Sequence, residues 1–417
     1  MIARRLLLAA ILAAATVGVP APVARGGADA GPGFRTISGL GAWCWFADPR
    51  AIYHDGSTYV GWVNGEGHVV IATLHGSKVH RTDIGQPAPP GRRDDHDNPA
   101  LLVEPSGRIT AFFSNHNGPA MYWRRTRHPW DASSWGPVHT LANNERRQNT
   151  YPNPVRLSKE SAAYLFWRGD VQPTYARRTH GHWSKARKLV SSPGDPYLKV
   201  ASNDRDTIGF AFTNGHPRDA VTNIYYARYR DGTVAHADGH AITKLKDAPF
   251  TPAEADEVYD AEANGGRRAW VHDIAFTASG RPVIVYATFS LDGYSHRYEY
   301  ARWTGTGWAR HPIVGAGGRI TTSTVDRFYS GGVVLDHRDP NLVYVSVGQL
   351  NHHDVERLVT GDRGATWKAT AIASGADVDN VRPFVPRGLP KGNDELLWMR
   401  GFYDRYSKFK TSIVARP

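Results

Sequence analysis

The sequence predicts an all-β protein, a seven-bladed β-propeller, from three observations. Apolar and polar residues alternate with period two in short runs bounded by Gly, Asp, Asn and Ser turns. A unit made of such a run, a tight turn and an aromatic, β-branched strand recurs at intervals of roughly 45 to 70 residues, the scale of a four-stranded blade. Composition agrees: 42 Gly, 27 Pro, 13 Trp and 19 Tyr stand in a chain of 417 residues that lacks long Ala/Leu/Glu/Lys stretches.

The chain opens with Arg4 and Arg5, an apolar run over 6–17, and Ala28-Asp29-Ala30 before Gly31. This is the pattern of a secretory signal peptide cleaved near Ala30, too short to span a membrane. Residues 31–417 are then a single soluble, exported domain, expected to be a monomer. Cys44 is the only cysteine, so no intramolecular disulfide forms and a cysteine-rich metal site is excluded. Inner hairpins are expected at 51–63, 100–114, 155–167, 198–213, 271–289, 332–347 and 381–401. Outer strand pairs are expected at 121–125, 174–178, 224–230 turning at Asp231-Gly232, and 297–303 with 308–313. The interval 250–268 is irregular, which leaves six or eight blades open beside seven, and the segment 36–46 is expected to pair with C-terminal strands to close the ring. Thr360 to Trp367, TGDRGATW, fits the Asp-box pattern, a turn between outer strands that says little about chemistry.

The formal charge of +11 implies an anionic partner. Lys and Arg are scattered singly and no nucleic-acid-binding signature is present, so an acidic polysaccharide is expected rather than nucleic acid or a membrane. Two stretches match when overlaid, 95–116 (DHDNPALLVEPSGRITAFFSNH) and 151–168 (YPNPVRLSKESAAYLFWR). Each opens on a polar residue and an Asn-Pro turn, runs through a hairpin, and ends on a second polar residue. His96 thereby matches Tyr151, and His116 matches Arg168, which puts four side chains at one end of adjacent hairpins. Tyr197, Lys199, His216 and Arg218 follow in the next hairpin, and Arg50, Arg382 and Arg400 hold comparable places in the first and last. Such a face suits a uronic acid: arginines for the carboxylate, aromatics for the ring, and a base for the proton beside the carboxylate. β-Elimination follows, with Arg168 and a histidine neutralising the carboxylate, and with Tyr151, its phenolate favoured by Arg168, as base and then acid.

WCWFADPRAI, DDHDNPALLV, SNHNG, TYPNPV with LFWRG, and FTNGHPR with NIYYARY resemble the BNR-type propeller polysaccharide lyases, ulvan lyases and rhamnosyl-glucuronate lyases, over roughly residues 43–406. The resemblance implies a seven-bladed propeller that cleaves a rhamnose to glucuronic acid linkage and yields an unsaturated uronate. It implies that His96, His116, Tyr151 and Arg168 are catalytic and that Arg218 clamps substrate. It implies no organic cofactor, but a structural zinc or calcium ion, for which His272, Asp273, His296 and His337 are the candidates. A cysteine-containing zinc site has no evident counterpart, because Cys44 sits in the first hairpin motif. Two alternatives stand beside this reading. A sialidase-like hydrolase would need an Arg-Ile-Pro motif where this chain has Asp48-Pro49-Arg50, and a non-catalytic glycan-binding propeller would not need the His, Tyr and Arg positions.

Overall fold

The computed structural model describes residues 24–26, 33–141 and 147–417. Among them no α-helix occurs, and the helical pieces are short 3-10 turns such as Asp95–Asp97. The other elements are strands, nearly all antiparallel, and no helix among the described residues is long and apolar enough to cross a membrane. The expected leader lies outside the described residues except for Ala24–Gly26, which run parallel to Lys368–Thr370.

The strands form six hydrogen-bonded sheets. In chain order the first spans residues 41–85, the second 100–140, the third 150–188 and the fourth 198–259. The nine-stranded sheet consists of a fifth antiparallel unit, 269–317, and a sixth, 333–373, joined through the single parallel pair Gly317–Gly348. The last sheet combines Asp379–Phe384, Leu396–Arg405 and Lys408–Arg416 with the N-terminal Arg35–Thr36. All the expected inner hairpins and outer pairs are present. The irregular interval supplies a short strand, Asp256–Tyr259, on Ile224–Arg230.

Period-two strands bury both faces when sheets stack face to face, and the apolar clusters trace this stacking. Tyr59 and Ile71 of the first sheet meet Leu101 and Phe113 of the second. Leu102 and Phe112 of the second meet Leu165 and Trp167 of the third, and Phe166 of the third meets Phe210 of the fourth. A larger cluster runs from Tyr226 through Tyr286 and Val345 to Trp398, and from there to Trp43 and Trp62 of the first sheet. Packing therefore proceeds in chain order and returns from the last sheet to the first.

That return is stitched by the chain's N-terminal part. Ile37 donates its N–H to Ile413 O, Ser38 Oγ accepts from the N–H of Ile413, and Thr411 donates to Gly41 O. The closing segment was expected at 36–46, and it begins one residue earlier. The Asp-box turn forms as expected between His352–Val359 and Lys368–Ala373: Asp362 accepts from Thr360, Thr366 N–H and Thr366 Oγ1, while Trp367 packs edge-on to Tyr300 of the preceding unit.

If this return holds the last sheet, truncating its anchor destabilises the whole molecule. Ile37 is fully buried, so Ile37→Ala should lower unfolding free energy by about 2–5 kcal/mol. Leu40→Ala, at a half-exposed neighbour, should stay within about 1 kcal/mol. Equal denaturation midpoints for the two variants would remove the closing role.

Candidate active site

Residues that precede inner strands and residues that follow the next strand emerge at the same end of each hairpin. The 3-10 turn Asp95–Asp97 leads into Ala100–Val103, and His116 follows Ile109–Ser114. Asp94 caps the turn by accepting from the His96 N–H, and its carboxylate also takes the Nδ1–H of both histidines, 2.6 Å from His96 and 2.8 Å from His116. The two imidazoles stack with centroids 4.0 Å apart and planes 7° from parallel. Tyr406, from the hairpin turn of the last sheet, stands edge-on to both.

This arrangement separates the protonation states of the pair. Burial opposes charge on His96, but Asp94 and Asp95 outweigh it and hold its pKa well above the ordinary 6.5, so it is an imidazolium at neutral pH. Burial and the charged His96 push His116 below its ordinary value, so it is neutral. Since the Nδ1–H of His116 points at Asp94, its Nε2 is a free acceptor, and it makes no hydrogen bond among the described residues. Asp94 remains a carboxylate, because the two histidines overcome the effect of burial. Asp97 accepts from the His116 N–H and is pushed up to about 8 by burial and Asp94.

Tyr151 belongs to Thr150–Leu157, at a bulge between the pairs Thr150–Arg168 and Asn153–Phe166. Its φ of 62° lies in the left-handed region, and a bulge re-aims a side chain that regular pleating would send to a sheet face. The ring lies 5.4 Å from that of His96 and 5.3 Å from Phe46. Burial and Tyr197 raise its pKa well above 10, more than Arg168 lowers it. The phenol is therefore protonated, which corrects the expectation of a phenolate: desolvation outweighs the neighbouring guanidinium.

Arg168 ends the strand Ala162–Gly169 and is 7 % exposed. Its guanidinium lies over the rings of Tyr151 and Tyr197, at 4.8 and 5.2 Å from the centroids, and donates to Tyr197 Oη and Asn117 Oδ1. No carboxylate pairs with it among the described residues, and its Nε has no partner. Tyr197 continues to His216, edge-on at 5.3 Å. His216 Nδ1 accepts from the Arg218 N–H, and burial with Arg218 lowers its pKa to about 3. Arg218 is 39 % exposed at this mouth and paired with Asp219.

The other expected cations are placed differently. Arg50 and Lys199 are buried against Asp48, and Lys199 also donates to Trp45 O. Arg382, 1 % exposed, sits at a second bulge and binds Asp95, the Trp43 carbonyl and Tyr403 Oη. Arg400 donates to Asn380. Arg50, Lys199 and Arg382 were expected to contact substrate. Their heads are instead neutralised inside the protein, by Asp48 for Arg50 and Lys199 and by Asp95 for Arg382.

The expected metal ligands do not converge. His272 meets Ser330 Oγ, Asp273 binds His337 and lies 3.5 Å from Arg387, and His296 Nε2 lies on the carbonyls of Gly293 and Arg327. Groups of three candidate ligands do form elsewhere among the described residues, as Cys44, Asp95, His96 and as Asp94, His96, His116. The Cys44 thiol was not expected near a histidine. Burial raises its pKa, and the Asp95 carboxylate is engaged by Arg382 and Tyr403. The four residues expected as ligands do not fit the implied ion.

Asp94 and Tyr406 were missed by sequence reading. Asp94 does carry a local signal, an acidic cap two residues before His96 in the run DDHD. Tyr406 has none, since its partners lie some three hundred positions away in the chain.

A profile of the BNR repeat-containing family matches residues 57–316. Among solved structures, the chain is similar to a polysaccharide lyase, an ulvan lyase bound to -[GlcA(1-4)Rha3S]-, with a TM-score of 0.68 and 15% identity over 91% of this chain and 94% of that one. It is also similar to the polysaccharide lyase Uly1, with a TM-score of 0.57 and 13% identity over 88% and 89% of the two chains. No curated protein matches.

Asp94→Asn tests the protonation scheme. The folded His96 pKa is raised, so its contribution to stability is complete below about pH 6.5 and is lost as pH rises through the folded value. Asp94 is depressed, so its share is present above about pH 3.9 and is lost as pH falls through its own folded value. The stability difference between wild type and variant should therefore be widest at about pH 4 to 6.5. In the variant, ring-proton NMR should show His96 titrating near or below 6.5. An unchanged His96 titration would leave Asp95 alone as its anion.

Proposed function

The chain belongs to the BNR repeat-containing family, and from that membership we propose that it is a secreted, seven-bladed β-propeller lyase that cuts a rhamnose to glucuronic acid linkage in an acidic polysaccharide. Seven antiparallel units, two of them sharing one bridge, support the blade number. Cleavage near Ala30 would remove Ala24–Gly26 and leave Lys368–Ala373 as an edge strand. The fold shared with ulvan lyases and the acidic sugar in one of those complexes support the substrate class.

The single observation that carries the chemistry is Arg168. A buried guanidinium with no carboxylate partner is costly, and a ligand carboxylate is the group that completes it. With a uronate seated on Arg168 and charged His96, the negative charge that develops when the C5 proton leaves is neutralised. His116 Nε2 takes that proton, the C5–H electron pair becomes the C4=C5 bond, and the C4–O4 bond breaks. The departing O4 takes the proton of the Tyr151 phenol. The proton on His116 then returns through solvent to Tyr151, which restores both groups. The stacking of His96 on His116 supports a cation and a base side by side, and the packing of Tyr197 and Phe46 on the ring of Tyr151 supports its fixed position.

Incubation with ulvan and with gum arabic, followed by absorbance near 235 nm, tests the class, since unsaturated uronates absorb there and hydrolase products do not. Tyr151→Phe and His116→Ala should each lose at least about a hundredfold in turnover while keeping the fold. The acid limb of kcat/KM should fall below about pH 6.5, because His116 must be neutral and its pKa is depressed. Reducing sugar released without absorbance would sink the lyase reading, and an acid limb above that pH would sink His116 as base.

A further inference from the structure

The second sheet carries a groove of about 340 Å³ at the end opposite His96 and His116. Those histidines flank one end of the hairpin Ala100–Val103 and Ile109–Ser114, whereas Arg108 lies in the turn at its other end. The groove is lined by Arg108, Trp123, Arg125, Arg127, Pro137 and His139, with Thr126 and Gly136 at its base, and no acidic side chain lines it.

Its construction follows from strand geometry. Positions 123 and 125 of Met121–Arg125 share one face, and His139 is the cross-strand partner of Trp123. The two rings stack at 4.3 Å and 20°, and the Arg125 guanidinium lies 5.5 Å from the Trp123 centroid. Arg108 and Arg127 extend the same antiparallel pair past Arg125–Thr110. The walls are fixed by backbone bonds from Thr126 N to Ile109 O, Arg127 N to Ser134 O and Gly136 N to Arg125 O. Trp123 also packs on the cluster of Leu165 and Trp167, so its ring is held from behind.

Nearby arginines are engaged: Arg124 donates to Gly136 O and Ile84 O, and Arg178 pairs with Glu104. Arg108, Arg125 and Arg127 have no ion pair among the described residues. Three free guanidinium groups around one partly exposed indole cost electrostatic self-repulsion, and an anion on a ring-shaped ligand relieves it.

We infer that this groove is a second glycan-binding site, which holds an anionic sugar of the substrate chain with its carboxylate or sulfate on the arginines and its ring on Trp123. The inference rests on the acidic-polysaccharide reading for the chain's ligand class. The convergence of the arginines on one short groove favours a single charged sugar over a nucleic-acid backbone, which is followed by a stripe of cations. A second site raises the effective concentration of a polymer at the catalytic mouth and does nothing for a fragment too short to reach both.

Affinity electrophoresis through gels containing heparin, a sulfated uronate polymer, reads the groove without cleavage. Arg125→Ala/Arg127→Ala and, separately, Trp123→Ala should each weaken retardation at least fivefold. Arg92→Ala/Lys391→Ala, which removes the same charge from exposed sites elsewhere, should change it less than twofold. With ulvan as substrate, the groove variants should raise the apparent KM for polymer at least threefold and leave kcat/KM for its tetrasaccharide within twofold. Unchanged heparin retardation overturns the site, as does a loss confined to single-stranded DNA run in parallel. Should Trp123→Ala unfold, the arginine pair carries the test alone. If the wild type cleaves no uronate polymer yet the groove variants still lose retardation, the lyase reading fails and the binding site stands.

Discussion

Three acidic residues around one 3-10 turn hold the functional centre in place. Asp94 takes both stacked histidines, Asp95 takes Arg382 and Tyr403 of the last sheet, and Asp97 takes the backbone of His116. The same turn accepts the Cys44 N–H from the first sheet and donates its Asp95 N–H to Tyr406 O in the last. The packing of the last sheet against the first and the geometry of the site thus depend on one cluster of acidic side chains. Removing one member of a buried pair leaves an uncompensated charge, a cost of about 3–5 kcal/mol, so this turn has little freedom to drift.

The cations of the centre divide by their partners. Arg50, Lys199 and Arg382 each face an aspartate, and none has exposure to offer a ligand. Arg168 is as deeply placed, yet it rests on a hydroxyl, an amide oxygen and two ring faces. Burial opposes its charge, while its hydrogen bond to the Tyr197 hydroxyl and the more distant Asp195 carboxylate favour it, so the guanidinium stays ionised with no carboxylate in contact. In a medium of low dielectric such a charge attracts an incoming carboxylate more strongly than a solvated one does.

Much of this architecture was legible from the sequence, because strand period, turn residues and hairpin length are local properties. The overlay that matched His96 with Tyr151 and His116 with Arg168 placed four residues that do share one mouth. The local devices differ, however: His96 sits in a capped 3-10 turn and Tyr151 on a bulge. Bulges at Tyr151, His272 and Arg382 are what turn inner-strand side chains toward the centre, and no residue type announces a bulge. Partnership was the illegible part. Whether an arginine is free or paired depends on contacts such as Arg382 with Asp95, 287 positions apart, which a one-dimensional reading cannot weigh. For the same reason four histidine and aspartate positions, grouped in sequence as metal ligands, separate in space onto serine, carbonyl and carboxylate partners.

The stacked histidines show how one carboxylate sets two roles. Two imidazolium rings 4.0 Å apart would repel each other, and a single Asp94 cannot neutralise both. One proton therefore stays with the ring that has the larger share of anions, His96, flanked by Asp94 at 2.6 Å and Asp95 at 3.0 Å. His116 has Asp94 alone at 2.8 Å and a positive neighbour, so it remains neutral. The asymmetry arises from Asp95, whose second oxygen is held by Arg382 and Tyr403 from the opposite side of the closure. A chain without that pair would keep the stacked histidines but lose the difference between them, and with it the separation of a charged ring from a neutral one.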